Sequence, residues 1–468
     1  MRCAAVLVIA LLVTATAHAE SWTTTKSVCR AGFGAPPAVP PPLQAEPAWR
    51  LHTLEECGID LFTLDPVGPT MGNIGTGSGF GGGIHVVYAP DANHKFTLKG
   101  LYSVNSSYVA SGQYRIVFRP MRPIEIKGKN GRPGQTDDTK GNLDLNLVRF
   151  DLRTQDFYGL GPSSTLAGHA VYRQQETWVG ANGYMPLPHV SGRAGIVGAL
   201  GELKYLQPAT KGVSGTSLPS VNVLYGESGA PASTKQVDFL EVGVGLSIRT
   251  PTAKPILWER HEAEVMYRHY FDQGSNQYSF DRLDGWADVS VDLLKRAKGN
   301  GRWSNPNLVN RPWWKDALCM QQVTGSCLAG TVTVAGRVTA SYTGTGSRVP
   351  FYLQPTLGGA DFEGIDTLRG LVDYRLRAPN RLLAQVDFDK PIAQIGLKKH
   401  PLGQYGLYTF FDAGNVALAP GQLASNGMRT DVGVGVSVAV QNKIVLRGYI
   451  AFGAGEGSHP NVKMANAF

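Results

Sequence analysis

The chain has 468 residues, of which 17% are charged and 43% hydrophobic, and its formal net charge is +8. Its mean hydropathy is −0.12, and after residue 20 the chain has no apolar run of about eighteen residues, which excludes a protein that crosses a membrane with helices. A barrel is not excluded, because polar residues that face a lumen lower the mean hydropathy.

The positive charge is spread along the chain, which suits a solvated lumen and solvated loops. The alternative is attraction to anionic lipid head groups or to acidic substrates. No basic run is interleaved with aromatic residues, so we expect no nucleic acid partner.

The first 19 residues predict a secretory signal peptide. Arg2 precedes an apolar run at 4–13, and Ala-His-Ala at 17–19 is a typical cleavage site. A membrane anchor is the alternative, but the run is too short to span a bilayer. We therefore expect an exported protein.

Residues 20–74 form a proline-rich N-terminal segment that we place in the periplasm. The stretch at 35–42, APPAVPPP, predicts an extended polyproline spacer. A segment this short and this rich in proline cannot bury a core of its own. We expect it to be a linker, a short plug or a strap.

Four cysteines remain after the leader: Cys29, Cys57, Cys319 and Cys327. An even number in an exported chain predicts disulfides, and proximity in sequence favours Cys29 with Cys57 and Cys319 with Cys327, although other pairings stay open. Zinc is the rival interpretation. The spacing within each pair is wrong for a structural zinc site and no histidine pair accompanies it, so we expect no metal.

Residues 75–468 predict an all-β, transmembrane antiparallel β-barrel with sixteen strands. A glycine-rich run at 75–83 leads into a first strand at 84–89, apolar and polar residues alternate at 95–103, and a third strand follows at 108–118 before a polar loop at 119–142. Strands of about ten residues with one apolar and one charged face are typical of a barrel with a wet lumen.

The glycine-rich run formally matches a dinucleotide fingerprint, but a strand follows it where a helix is required. We expect no cofactor. Further on, residues 240–249 alternate, and the next strand places Arg260, Glu262, Glu264 and Arg268 on one face. Such a row could form a carboxylate active site, but a hydrated wall of mutually compensating charges is the commoner arrangement.

The end of the chain has the cleanest pattern, with a final strand that ends on Phe468, an aromatic residue that resembles the terminal insertion signal of outer-membrane barrels. Counting back, we expect the last six strands at 330–343, 380–391, 404–414, 430–441, 443–453 and 461–468. If the strands are antiparallel and both chain ends are periplasmic, residues 351–371 connect at the outer face and 295–329 form a long periplasmic insertion.

Two motifs carry a family resemblance: Leu368-Arg369-Gly370 in the polar stretch 351–371, and Phe410-x-Asp412-x-Gly414 on a later strand. Their order and spacing resemble those of the bacterial surface antigen superfamily of BamA- and TamA-like outer-membrane barrels. Residues 155–162 and 278–283 also resemble segments of that family.

The resemblance implies that the stretch 351–371 folds into the lumen as a lid and that Arg369 contacts the strand of Phe410, Asp412 and Gly414. The pattern supports this geometry independently: Leu407 and Phe411 face lipid if Asp412 is to avoid it, which places Asp412 on the lumen side. A half-buried carboxylate favours a planar guanidinium. Gly370 would allow close backbone approach, and Leu371 stands where the family usually has an aromatic residue.

Function follows less directly. Family members that assemble other proteins carry periplasmic POTRA domains, and residues 20–74 are too short for one, so the chain resembles a POTRA-less branch. We expect a role in protein or lipid insertion or transport at the bacterial outer membrane, with outer-membrane lipids and a periplasmic client or partner protein as partners. The alternatives are a passive porin-like channel and an outer-membrane enzyme. His261 and His269 have no matching serine motif, so we expect no catalytic residues.

Overall fold

The computed structural model describes residues 67–73, 78–118, 126–127, 133–134, 140–187, 195–213, 215–249, 260–292, 333–344, 346–359, 366–397, 400–424, 427–440, 443–453 and 455–464. These residues form one antiparallel sheet of sixteen strands in which spatial order follows chain order. The prediction of an all-β fold with sixteen strands is confirmed.

The strand bounds are β1 Val67–Asn73, β2 Phe80–Tyr88, β3 His94–Ser103, β4 Tyr108–Phe118, β5 Gly141–Phe157, β6 Ala170–Pro186, β7 Ile196–Lys211, β8 Phe239–Arg249, β9 Arg260–Asp272, β10 Phe280–Asp292, β11 Thr333–Thr343, β12 Asn380–Leu397, β13 His400–Ala417, β14 Arg429–Val440, β15 Lys443–Gly453 and β16 Ser458–Met464. Two one-turn helices, α1 Val221–Leu224 and α2 Gly226–Gly229, lie between β7 and β8. Within the described ranges, no helix has the length and apolarity needed to cross a membrane.

The sheet curls round so that its first and last strands touch. In the described parts of β1 and β16, no ladder of hydrogen bonds joins them. The sheet therefore surrounds a lumen, and its seam is held less tightly than the other strand pairs.

The two faces of each strand differ as the alternation predicts. On β14, Val432, Val434 and Val436 point outward and are 51–56% exposed, whereas Asp431 and Ser437 point inward and are buried. An exposed row of valines faces away from the lumen, and the polar residues line it.

Some boundaries differ from the prediction. The sheet begins at Val67, inside the segment 20–74 that we had assigned to the N-terminal piece, because β1 is short and contains glycine and proline, which hide its alternation. In addition, β12 continues to Leu397 and β13 begins at His400, where we expected a turn over 392–403.

Several other predictions lie outside the described residues. These are the signal peptide at 1–19, the spacer at 35–42, the insertion at 295–329, the four cysteines and Phe468.

Candidate functional site

The connection from β11 to β12, residues 346–379, is called the lid and is described over 346–359 and 366–379. It folds back on itself, pairing Thr356–Leu357 with Leu376–Arg377 in a short antiparallel ribbon. The chain reverses at Gly358, whose φ is +119° and where a Cβ would lie 2.8 Å from the Cβ of Arg375. Only glycine fits this turn without strain.

Arg369 ties the lid to β13. Its Nε donates to Asp412 Oδ2 at 2.8 Å and its Nη2 donates to Asp412 Oδ1 at 2.6 Å. The same Nη2 lies 2.7 Å from Asp387 Oδ1 on β12. Arg369 and Asp412 are 3% and 0% exposed, so the pair is fully buried. A two-point guanidinium–carboxylate contact fixes orientation as well as position.

Phe410 supports this contact from below. The guanidinium carbon of Arg369 lies 3.6 Å from the centre of its ring. The ring in turn covers Gly433 on β14, where a Cβ would meet Phe410 Cε1 at 2.6 Å. Phe410 is therefore held in place by a glycine on the next strand, and it offers its face to the cation.

The charge of Arg369 is stabilised where it lies. Burial by itself would lower the pKa of Arg369, but its hydrogen bonds and charge interactions with Asp412 and Asp387 outweigh burial and raise the pKa. Losing one partner of such a buried ion pair typically costs about 3–5 kcal/mol.

Gly370 brings the lid against two more strands. Its N–H donates to Asp431 Oδ2 on β14 at 2.8 Å. A Cβ at this position would lie 2.5 Å from Asp431 Cβ and 2.8 Å from the backbone nitrogen of Gly453 on β15. The backbone approach expected of Gly370 is present, and any larger residue would push the lid away from both strands.

Leu368 and Leu371 place the apolar side of the lid. Both are buried in a small core with residues of the lid, β12 and β13: Leu357, Leu376, Ala378, Leu383 and Val416. Gly414 on β13 gives this core its space, since a Cβ there would lie 3.0 Å from Leu357 Cδ1. Leu371 thus packs against aliphatic neighbours in place of the aromatic contact usual in the family.

Two lid arginines that the sequence did not single out make further anchors. Arg375 Nε donates to Glu456 Oε1 at 2.6 Å, in the hairpin before β16, and its Nη1 donates to Ser164 Oγ at 2.9 Å. Arg377 is completely buried and donates to the carbonyl of Phe351 at 2.8 Å and to the hydroxyl of Tyr172 at 3.2 Å.

Aromatic residues seal this end of the barrel around Arg377. The lid contributes Phe351 and Tyr352, and the strands and neighbouring loops contribute Phe157, Tyr172, Phe239, Tyr270, Tyr278 and Phe280. Phe351 meets Phe157 and Tyr172 edge to face at 5.2 and 4.9 Å. We call this set the lid-end cluster; it covers the lumen beside the lid.

The wall opposite the lid is polar and charge-compensated. Arg268 Nε lies 2.8 Å from Glu202 and 3.1 Å from Glu241, and its Nη1 lies 2.6 Å from Asp284. A cavity of about 430 Å³ opens beside Arg268, Glu264 and Arg115. His269 pairs with Asp281 at 2.6 Å, a carboxylate that also accepts from Tyr267.

Sequence reasoning named Arg369, Asp412 and Phe410 but missed Asp387, Asp431 and Arg375. Strand parity does place Asp387 and Asp431 on the inward face, and this was the available signal. Which inward carboxylates meet the lid depends on the path of the lid through the lumen, and the alternation carries no information on that path.

Comparison with solved structures finds two similar barrels. One is BamA from Haemophilus ducreyi lacking POTRA domains 1–3, at 14% identity and a TM-score of 0.48, covering 84% of this chain and 68% of that one. The other is CdiB from Acinetobacter baumannii, at 12% identity and a TM-score of 0.44, covering 83% of this chain and 55% of that one. No protein-family model matches the sequence, and no curated protein matches it.

Proposed function

We propose that this protein is a lidded outer-membrane β-barrel of the assembly and translocation type, acting in the insertion or transport of protein or lipid at that membrane. The observation that carries the proposal is the lid itself, which enters the lumen and is bound there by the buried pair of Arg369 and Asp412. A channel built for free diffusion has no use for such an obstruction.

The outer surface supports the membrane assignment. Exposed aromatic side chains lie at both ends of the strands, and exposed valines lie between them. Towards the lid end these are Tyr102, Phe271, Tyr342 and Phe452, and towards the opposite end they are Tyr88, Phe96 and Tyr405. Two aromatic girdles that flank an aliphatic band are typical of barrels that span an outer membrane.

The order and spacing of the two motifs support the assembly and translocation class. The lid contributes Leu368, Arg369 and Gly370, and β13 contributes Phe410, Asp412 and Gly414. Their contacts are specific, because the guanidinium, the ring and the two glycines each exclude ordinary replacements. This argument concerns the barrel's own machinery and leaves the client unnamed.

The lid is tested by deleting residues 360–376 and recording conductance in planar bilayers. We expect the intact protein to show low conductance, and the deletion to give large openings and a barrel that unfolds at lower temperature. A matched control replaces residues 274–277, an exposed turn between β9 and β10, with a glycine-serine linker. A large, steady conductance in the intact protein would instead indicate a passive porin, and an unchanged deletion variant would contradict the lid.

The activity is tested separately in proteoliposomes. An unfolded outer-membrane barrel is added as reporter, and its rate of folding into vesicles is compared with that in empty vesicles; in parallel, transfer of a labelled lipid between leaflets is followed. We expect acceleration of one of these processes, and Arg369→Ala should change it. If neither process is accelerated, the insertion or transport role is wrong even if the lid is real.

A further inference from the structure

Two carboxyl groups face each other at the anchor of the lid. Asp412 on β13 and Asp431 on β14 are direct cross-strand partners, and both point into the lumen. They are 0% and 3% exposed. Like charges placed directly opposite in a sheet repel, and burial removes the water that would screen them.

The hydrogen bonds to the two groups are unequal. Asp412 accepts from the Nε and Nη2 of Arg369, from the backbone N–H of Arg369 and from Gln385 Nε2. Asp431 accepts through Oδ2 from the N–H of Gly370. Its Oδ1 is buried without a donor among the described residues. Arg369 therefore compensates Asp412, and Asp431 holds an oxygen that no donor satisfies.

The two carboxyl groups also contact each other. The side chain of Asp431 lies within hydrogen-bonding reach of Asp412. Two ionised carboxylates have only acceptor atoms, so a hydrogen bond between them requires a proton on one of them. A protonated Asp431 would donate to Asp412 while its other oxygen keeps the bond to Gly370.

The surroundings do not supply the missing positive charge. The other charged and titratable side chains on the elements around the pair are Asp366 and Arg375 of the lid, Asp387 and Asp389 on β12, Tyr408 on β13, Arg447 and Tyr449 on β15, Glu456 in the following hairpin and His459 on β16. Arg375 is paired with Glu456 at 2.6 Å. Arg447 lies 3.5 Å from Asp387 and 3.9 Å from Asp389. The carboxylates of this region thus outnumber its cations.

We propose that Asp412 and Asp431 share one proton while the lid is closed, and that the lid releases this proton when it opens. Closure and protonation are then one event: Arg369 and Gly370 bring the lid onto the pair, and the proton removes the repulsion within it. When the lid leaves, water enters, both carboxylates ionise, and the proton passes to the lumen solvent.

This coupling gives closure a pH dependence with a definite sign. Because the closed state holds a proton that the open state has lost, rising pH favours opening. While a whole proton is released, the closing equilibrium constant falls up to about tenfold for each unit of pH. The inference rests on the lid in the proposed function, but it concerns how the lid is held and not what passes it.

Hydrogen–deuterium exchange of the full chain in lipid nanodiscs tests this by reading the lid directly. Peptides over residues 366–379 are followed between pH 5 and 9, with exchange times scaled for the intrinsic pH dependence and a peptide of β8 as internal reference. We expect lid opening in the native protein to rise with pH. Asp431→Asn, which keeps an acceptor for Gly370 and can donate to Asp412, should stay closed at every pH, whereas the control Asp389→Asn should keep the native slope.

An infrared difference spectrum of the native protein provides a second measurement that needs no variant to fold. A protonated buried carboxyl shows a carbonyl stretch that carboxylates lack, and we expect this band at pH 6, shifted in heavy water and lost on opening at high pH. A lid whose opening is independent of pH, an Asp431→Asn variant with the native slope, or opening by chelators at every pH would overturn the proposal. None of these readouts depends on transport, so the two proposals can fail separately.

Discussion

At the scale of single residues, the lid depends on a few side chains whose replacements are tightly restricted. Arg369 must be planar and charged to bind Asp412 through two nitrogens while it lies flat on Phe410. Gly370 must lack a side chain for the lid to reach Asp431. Each requirement comes from a different neighbour, so each is separately testable.

A charge reversal tests the buried pair. Arg369→Asp and Asp412→Arg should each destabilise the barrel by about 3–5 kcal/mol, because each leaves a buried charge unpaired. The double reversal should recover part of that loss, since the two groups meet again with opposite signs. Thermal unfolding, followed by the shift of the folded barrel on gels, measures the effect. Arg348→Glu, on an exposed lid arginine, is the control, and additive losses in the double variant would show that the two residues do not interact.

Gly370→Ala tests the close approach. The added methyl group would collide with Asp431 and with the backbone of Gly453, so we expect the lid to move and stability to fall by about 1–3 kcal/mol. Limited proteolysis of the lid gives the readout. Gly421→Ala is the matched control, because a Cβ at that position meets nothing within 4 Å. Equal resistance of both variants to protease would argue against the packing described.

At the scale of elements, the lid end is held by loops that bind one another as well as by the lid. Glu227 of α2 accepts hydrogen bonds from the N–H of Ala232 at 2.7 Å, from Thr234 Oγ1 at 3.0 Å and from the hydroxyl of Tyr278. Burial and the nearby Glu227 carboxylate raise the pKa of Tyr278 to about 12. Desolvation alone would raise the pKa of Glu227, but these hydrogen bonds outweigh it and lower the pKa.

This loop contact should weaken in acid. A carboxyl group whose pKa is lowered by folding stabilises the structure above its ordinary pKa of about 4.3, and the stabilisation is lost as pH falls through the lowered value. We therefore expect residues 226–234 to exchange hydrogen faster at pH 3 than at pH 7. Glu227→Gln should remove most of this difference, and Glu262→Gln, on a strand of the opposite wall, should leave it intact. A loop equally protected at both pH values would contradict the assignment.

At the scale of the whole molecule, stability in the membrane depends on the outward band. Val434 lies in the middle of the valine row on β14 and is 52% exposed. An arginine at the middle of a lipid-facing band costs about 2–4 kcal/mol. Val434→Arg should therefore lower the yield and stability of the barrel refolded into vesicles. Val223→Arg, on an exposed helix outside the band, should have no effect; equal losses in both variants would contradict the membrane position of this face.

The reach of sequence reasoning can be judged on particular residues. Alternation predicted the inward side of Asp412 and the outward side of Phe411, which are 0% and 45% exposed. It could not detect β1, because seven residues that include glycine and proline show no clear period. It also could not select Asp431 among the inward carboxylates, or Arg375 among the lid arginines, since both contacts join residues far apart in the chain.

The sequence by itself determined the fold class, the faces of the strands and the region of the lid, because these follow from local chemistry that repeats with a period of two residues. Only the tertiary structure decided what the lid touches. Its anchors lie on β12, β13, β14 and the hairpin before β16, and they come together because the sheet curls and the lid folds inward. The contact of Asp412 with Asp431 depends on strand register, a property of the assembled sheet that neither strand contains alone.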